Sequence, residues 1–308
     1  MPVGQPRVRL ELFRRRDVEG GVKFVAVYFA IALTVCACVR CHTSLPIGAT
    51  PVPPPVASAV PTEQDPPPYL PDGCIPGDHD VRSWKRVDPA TVPIDQHFAL
   101  NYSPCTWTIS IRSGVPTASQ NRDSKLELPP KFHLPEGREP PRVARQGRAG
   151  VLLGYNRGEW GGSLLWCSDE GSVQAELLDD NVVTILSSAG RFVVLAGLSH
   201  LGFDRGRVLE LTDDADGFHP SRTTELGSAP TAAAVESSGA ILITTMRGLV
   251  RLTSEFHVHR LRDSDWGMFY PATIVVDQAA TAYIGVRGIV AEIKLDSDPP
   301  RETWLFPI

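Results

Sequence analysis

Four glycines, Gly162, Gly206, Gly248 and Gly288, recur at spacings of 44, 42 and 40 residues, and each stands before the third in a set of short apolar runs. A strand-sized pattern with a period of about forty residues restricts the fold to an array of one small β unit, because each unit leaves an apolar face that only a neighbour can cover. The second and third runs of the four units are Val151 to Tyr155 with Ser163 to Cys167, Phe192 to Ala196 with Arg207 to Leu211, Ile241 to Thr245 with Leu249 to Leu252, and Ala282 to Val286 with Ile289 to Ile293. They are four to six residues long, rich in Val, Ile, Leu, Thr and Tyr, and bounded by Gly, Asp and Ser, which makes them strands and not helices. Outer strands fit the same frame at Val173 to Leu177, Thr223 to Leu226, His257 to Leu261 and Thr303 to Phe306. Inner strands fit in three units, at Val182 to Leu186, Ala232 to Val235 and Thr273 to Val276.

The unit is plainest in Ile241-Leu242-Ile243-Thr244-Thr245-Met246-Arg247-Gly248-Leu249-Val250-Arg251-Leu252, an apolar strand, a short turn with its glycine, and a second apolar strand. This resembles the blades of the β-propeller repeats in bacterial sensor and NHL-like proteins. The resemblance implies an all-β fold, a β-propeller of four blades over residues 142–308. A fifth, divergent blade is supplied if Phe98 to Leu134 contributes one, through Trp107-Thr108-Ile109-Ser110-Ile111 and Leu126-Glu127-Leu128 within an N-terminal region spanning 74–141. A β-sandwich is the alternative packing of the same strands.

Ahead of the repeat the chain changes character. Phe24 to Val39 is sixteen residues without a charge, preceded by Lys23 and Arg14 to Arg16, the order of a secretory signal. It closes on Val35-Cys36-Ala37-Cys38, which resembles the lipobox of bacterial lipoprotein precursors. That resemblance implies lipid attachment at Cys38 and a protein anchored in the cell envelope, facing the periplasm or the exterior. An uncleaved signal anchor is the other reading of segment 1–41. Residues 42–73 are a proline-rich linker, with Pro51 to Val56 and Pro66 to Pro68 favouring an extended spacer. Cys38-Val39-Arg40-Cys41-His42 also spells the attachment pattern of a c-type haem. It abuts the apolar run and runs into prolines, and a lipidated Cys38 is not free for a porphyrin, so no cofactor is expected.

A net charge of −5 gives no basic face for phosphate, and nucleic acid is not an expected partner. The expected partners are the membrane, through the anchor, and a protein or anionic ligand. In an oxidising compartment Cys74 and Cys105 are placed to form a disulfide, leaving Cys167 buried and unpaired. No metal site is expected. His257 and His259 share a strand face without a third ligand, and the Asp213, Asp214, Asp216, Gly217 cluster lacks the terminal acid of a calcium loop.

If the blades are real, the turns between second and third strands share one face. Arg205, Arg247 and Arg287 each precede the recurring glycine, which would set three guanidinium groups around one rim, suited to carboxylate or phosphate. The plainer reading is that each arginine solvates a tight turn or caps a neighbouring blade. The two long turns, Asn156 to Gly162 and Gly197 to Gly206, add Glu159, Trp160 and His200. No G-x-S-x-G, P-loop or H-E-x-x-H is present in the sequence. The expected function is therefore a non-catalytic binding or scaffold propeller tethered in the envelope, binding an anionic or protein ligand at its rim. The alternative is a propeller-type hydrolase or lyase using His200 and Glu159 as acid and base.

Overall fold

The computed structural model describes residues 74–120, 126, 128–130, 132–134, 137–188 and 190–308. The anchor, linker, lipidation and haem-pattern expectations lie outside the described residues. No helix among the described residues is long and apolar enough to cross a membrane.

The four repeat units each fold into a four-stranded antiparallel sheet. The first comprises β5 (Val143–Gln146), β6 (Val151–Asn156), β7 (Gly162–Cys167) and β8 (Val173–Leu178), and the second β9 (Val182–Ser188), β10 (Arg191–His200), β11 (Phe203–Asp214) and β12 (Gly217–Glu225). The third comprises β13 (Pro230–Val235), β14 (Ile241–Thr245), β15 (Gly248–Leu252) and β16 (Val258–Asp263), and the fourth β17 (Thr273–Val276), β18 (Thr281–Gly285), β19 (Val290–Lys294) and β20 (Arg301–Phe306). A further sheet comes from the N-terminal region, in the order β1 (Asp78–Asp80), β4 (Val115–Gln120), β3 (Trp107–Arg112). Between them, β2 (Lys85–Val87) crosses to the last unit and pairs with β20, and helix α1 (Ile94–Asn101) leads back to β3.

The edge strands β3, β17, β13, β9 and β5 pack side by side in that order, so the sheets are five blades around a common axis. Side-chain alternation shows the same thing. In β10, Phe192 and Val194 join Leu152, Leu164 and Val182 in one core, while Val193 and Leu195 join Ile241, Ile243 and Val250 in the next. In β18, Ala282 and Ile284 face Leu242 and Leu249, while Tyr283 faces Trp107, Ile109 and Ala118. A middle strand is thus buried on both faces, which is why its sequence carries no charge, as in β14 and β18. A two-layer sandwich would bury only one face of each sheet, so the sandwich alternative is set aside. Outer strands β8 and β16 are largely exposed and read as mixed.

The junction between the N-terminal blade and the first repeat differs from the other four. The face of β6 and β7 carrying Val151, Leu153, Tyr155 and Leu165 is covered by Phe132, with Leu126, Leu128 and Leu134 packed against it. Leu126 and Leu128, which the sequence reading offers to this blade, lie outside its strands. Those leucines pack against β6 and β7, and the strand completing the N-terminal blade is β1. Asp78-His79-Asp80 carries no apolar pattern, so only its pairing with β4 makes it a strand.

The recurring glycines occupy matching places. A Cβ on Gly162 would stand 2.6 Å from Asn181 Cα, one on Gly206 2.2 Å from Ser228 O, and one on Gly248 2.2 Å from Arg262 O. At Gly162 and Gly206 the obstacle is the chain crossing from the outer strand of one blade to the inner strand of the next, and at Gly248 it is the end of outer strand β16, where that crossing begins. Hence each hairpin needs a residue without a side chain where the crossover passes over it. At Gly288 the crossing chain is the approach to β3, whose Cys105 carbonyl accepts the Gly288 amide at 2.8 Å. Cys105 is joined to Cys74 in a disulfide with a Cα separation of 5.3 Å.

Candidate functional site

The crossovers and the β6–β7, β10–β11, β14–β15 and β18–β19 hairpins all emerge on one face of the disc. Around the axis this face opens into a cavity of about 600 Å³, walled by residues of all five blades: Ile109, Asn156, Thr184, Thr231, Thr273 and Ile274 among them. Arg142, just ahead of β5, and Tyr270, just ahead of β17, stand in the same wall.

Arg142 donates its backbone amide to Gly154 O at 2.8 Å, and its exposed side chain has no ion-pair or hydrogen-bond partner among the described residues. Tyr270 sits in the left-handed backbone region at φ 51°, unusual for an aromatic residue, and its ring lies 4.0 Å from the Arg287 guanidinium carbon. Neither residue stands out in the sequence. The available signal is positional: aligning the repeats by their inner strands puts Arg142 beside Asn181, Ala229 and Ala272, each just before its strand.

The span Gly197 to Gly206, read from sequence as a loop, is strand almost throughout. β10 and β11 stay paired from Phe192↔Leu211 to His200↔Phe203, leaving Leu201 and Gly202 as the tip. Gly197 lies opposite Gly206, and Pro230 packs over the pair: a Cβ on either glycine would come within 3 Å of the Pro230 ring. The hairpin therefore continues outward past the point where the other hairpins turn. His200 Nε2 near its tip meets Glu159 Oε2 at 2.7 Å, which brings the β6–β7 turn alongside. Both side chains are open to solvent and neither lines the central cavity. Trp160, Leu201 and Phe203, on these two adjoining segments, are 79%, 87% and 72% exposed.

The three rim arginines do not share a cavity. Arg205 grips Asp180 through two hydrogen bonds, Nη1 to Oδ2 at 2.7 Å and Nη2 to Oδ1 at 3.1 Å, and Arg207 binds the same carboxylate. Arg247 reaches across a blade seam to Asp204, at 2.7 Å, on the extended hairpin. Asp204 also accepts from Ser228 Oγ and the Ala229 amide. Arg287 donates to Asn101 O at the end of α1 while stacking on Tyr270. Each guanidinium ties a hairpin to a crossover, a neighbouring blade or the N-terminal helix. Burial pushes the Asp180 carboxyl up, but hydrogen bonds from Arg207, Arg205 and the Asn181 amide outweigh it and hold the group below the usual aspartate range.

Among the described residues no group of three or more His, Cys, Asp or Glu side chains is arranged to hold a metal. Asp213, from the cluster compared with a calcium loop, instead accepts the Arg148 and Ala149 amides of the preceding blade, at 2.7 and 3.1 Å. Cys167 is buried and free, and burial pushes its thiol up, which removes it as a ready nucleophile.

No family model matches the chain, and no curated protein does. Solved structures that resemble it include PorZ, a surface component of the type-IX secretion system of Porphyromonas gingivalis. There the identity is 12% and the TM-score 0.35, over 63% of this chain and 32% of that one. Another is XC5397, a gluconolactonase from Xanthomonas campestris, at 14% identity and a TM-score of 0.32, over 54% and 57% of the two chains. A protein of unknown function from Bacteroides caccae is 13% identical with a TM-score of 0.34, over 52% and 58%. The chain matches less than two-thirds of the length of each.

Proposed function

We propose that this protein is a non-catalytic binding propeller, held at the cell envelope by its N-terminal segment and engaging a protein partner through the hairpin face. The observation that carries the reading is the exposure of Trp160, Leu201 and Phe203 together on two adjoining projections of the β disc. Large apolar side chains in one exposed patch are characteristic of protein contact surfaces, and Trp is prominent among residues that dominate binding energy. Glu159 and His200 brace the two projections against each other. Arg205, Arg247 and Arg287 then act as struts that hold the face rigid, their charges already met by Asp180, Asp204 and the Asn101 carbonyl with the Tyr270 ring. An anion-binding role for these three is correspondingly weakened.

The test is site-specific photocrosslinking in the source cell, with the reactive group at position 201 and, as a control, at position 173 on an outer strand. Adducts of one defined mass from position 201, absent from 173 and abolished by Trp160→Ala with Phe203→Ala, are expected. Equal labelling from both positions would remove the reading. The enzyme alternative rests on the 2.7 Å contact of His200 with Glu159. It requires a turnover that His200→Ala abolishes.

A further inference from the structure

We infer that the central cavity is a second site, separate from the exposed hairpin patch, and that it takes a small organic anion with an apolar body, whose charged group is received by Arg142. Its volume of about 600 Å³ lies within the range of small-molecule sites. The space exists because the inner strands and the residues just ahead of them present small side chains to the axis, Thr184, Thr231, Ala232 and Ala272 among them. Among the described residues no carboxylate lines it, in a chain whose net charge is −5.

Arg142 is the charged residue of that lining. The arginines of the hairpin face, Arg157, Arg205 and Arg247, are each neutralised by a carboxylate, whereas Arg142 has no such partner among the described residues. A guanidinium left unpaired at the mouth of a partly apolar cavity is a receptor for a carboxylate, sulfonate or phosphate, with donors in a planar fork. Tyr270 stands in the same wall, held by its stack on Arg287, and offers a fixed aromatic surface to a flat body. The Thr184 hydroxyl, without a hydrogen-bond partner among the described residues, adds a polar contact.

The probe is 8-anilinonaphthalene-1-sulfonate, a flat apolar body with one anionic group, titrated by fluorescence into the folded protein. N-phenyl-1-naphthylamine, the same kind of body without the charge, is run in parallel. The expected result is one sulfonate probe per chain, weakened about ten-fold or more by Arg142→Ala and lost on filling the cavity with Thr184→Phe, both variants keeping the wild-type circular dichroism. The uncharged probe is expected to ignore Arg142→Ala, and Trp160→Ala to leave both affinities unchanged. Absence of sulfonate binding, or binding indifferent to Arg142→Ala, overturns the inference. Loss on Trp160→Ala with retention on Thr184→Phe overturns it as well, by placing the probe on the hairpin patch. Because the photocrosslinking reads the patch and this titration the cavity, either site can fail alone.

Discussion

Asp180 and Glu210 show how single carboxylates hold neighbouring segments together. Asp180 is 3% exposed and collects two guanidinium groups and a backbone amide. Glu210, 4% exposed, accepts from Arg222, Arg191 and Ser221. In Glu210 the hydrogen bond from Arg222 exceeds the opposing effect of burial, so this group too titrates below its usual range. Both folded-state values are depressed, so their contribution is fully present above the unfolded carboxylate range, about pH 4, and is lost as pH falls through the folded values. Urea midpoints should therefore drop below about pH 4, with these two groups adding no slope between about pH 5 and 8. Asp180→Asn should cost about 2–4 kcal/mol at pH 7 and flatten that acid limb, since one buried acceptor then faces two cations without its charge. An unchanged acid slope in the variant would show that Asp180 is not linked to folding in this way.

At the scale of the hairpin, two residues of the β10–β11 element should respond in opposite directions. Gly206→Ala puts a Cβ against the Ser228 carbonyl and should destabilise by about 2–3 kcal/mol, whereas Leu201, exposed and held at φ 43°, should tolerate Gly with no loss or a gain of up to about 1 kcal/mol. Paired urea titrations decide both. The same hairpin marks how far sequence can be read. Hairpins such as Ile241–Thr245 with Gly248–Leu252 are legible because burial on both faces writes short, mostly apolar runs. Past Gly197 the chain reads Leu-Ser-His-Leu-Gly-Phe-Asp-Arg-Gly, a composition of loops, and only the ladder across Gly197↔Gly206 keeps it extended. Glu159, Trp160 and His200 could be singled out because long turns are visible as gaps between apolar runs. The partners of Arg205, Arg247 and Arg287 could not, since Asp180, Asp204 and Asn101 lie 25, 43 and 186 residues away, on segments that meet only after the blades assemble. β2 illustrates the same limit: its place is set by β20 at the far end of the chain.

For the molecule as a whole, the decisive joins are the ones between its two ends. β2 extends the last blade beyond β20, with Arg86 opposite Leu305 and paired to the buried Glu292, while Cys74 is fastened to Cys105 beside the last hairpin. The bridge spans 31 positions, and on chain entropy its removal should cost about 3–4 kcal/mol. Cys74→Ser with Cys105→Ser should lower the urea midpoint accordingly. Hydrogen exchange in the double variant should rise first in β1, β2 and β20, and a uniform rise over all five blades would contradict an end-to-end clasp. The clasp also has a consequence in time. A ribosome makes β20, the partner of Lys85 to Val87, only after the other strands of the blades, so every earlier stage of synthesis leaves the ring unsealed. A nascent chain that cannot lock before β20 is made stays open to threading or to capture by a chaperone until that strand emerges.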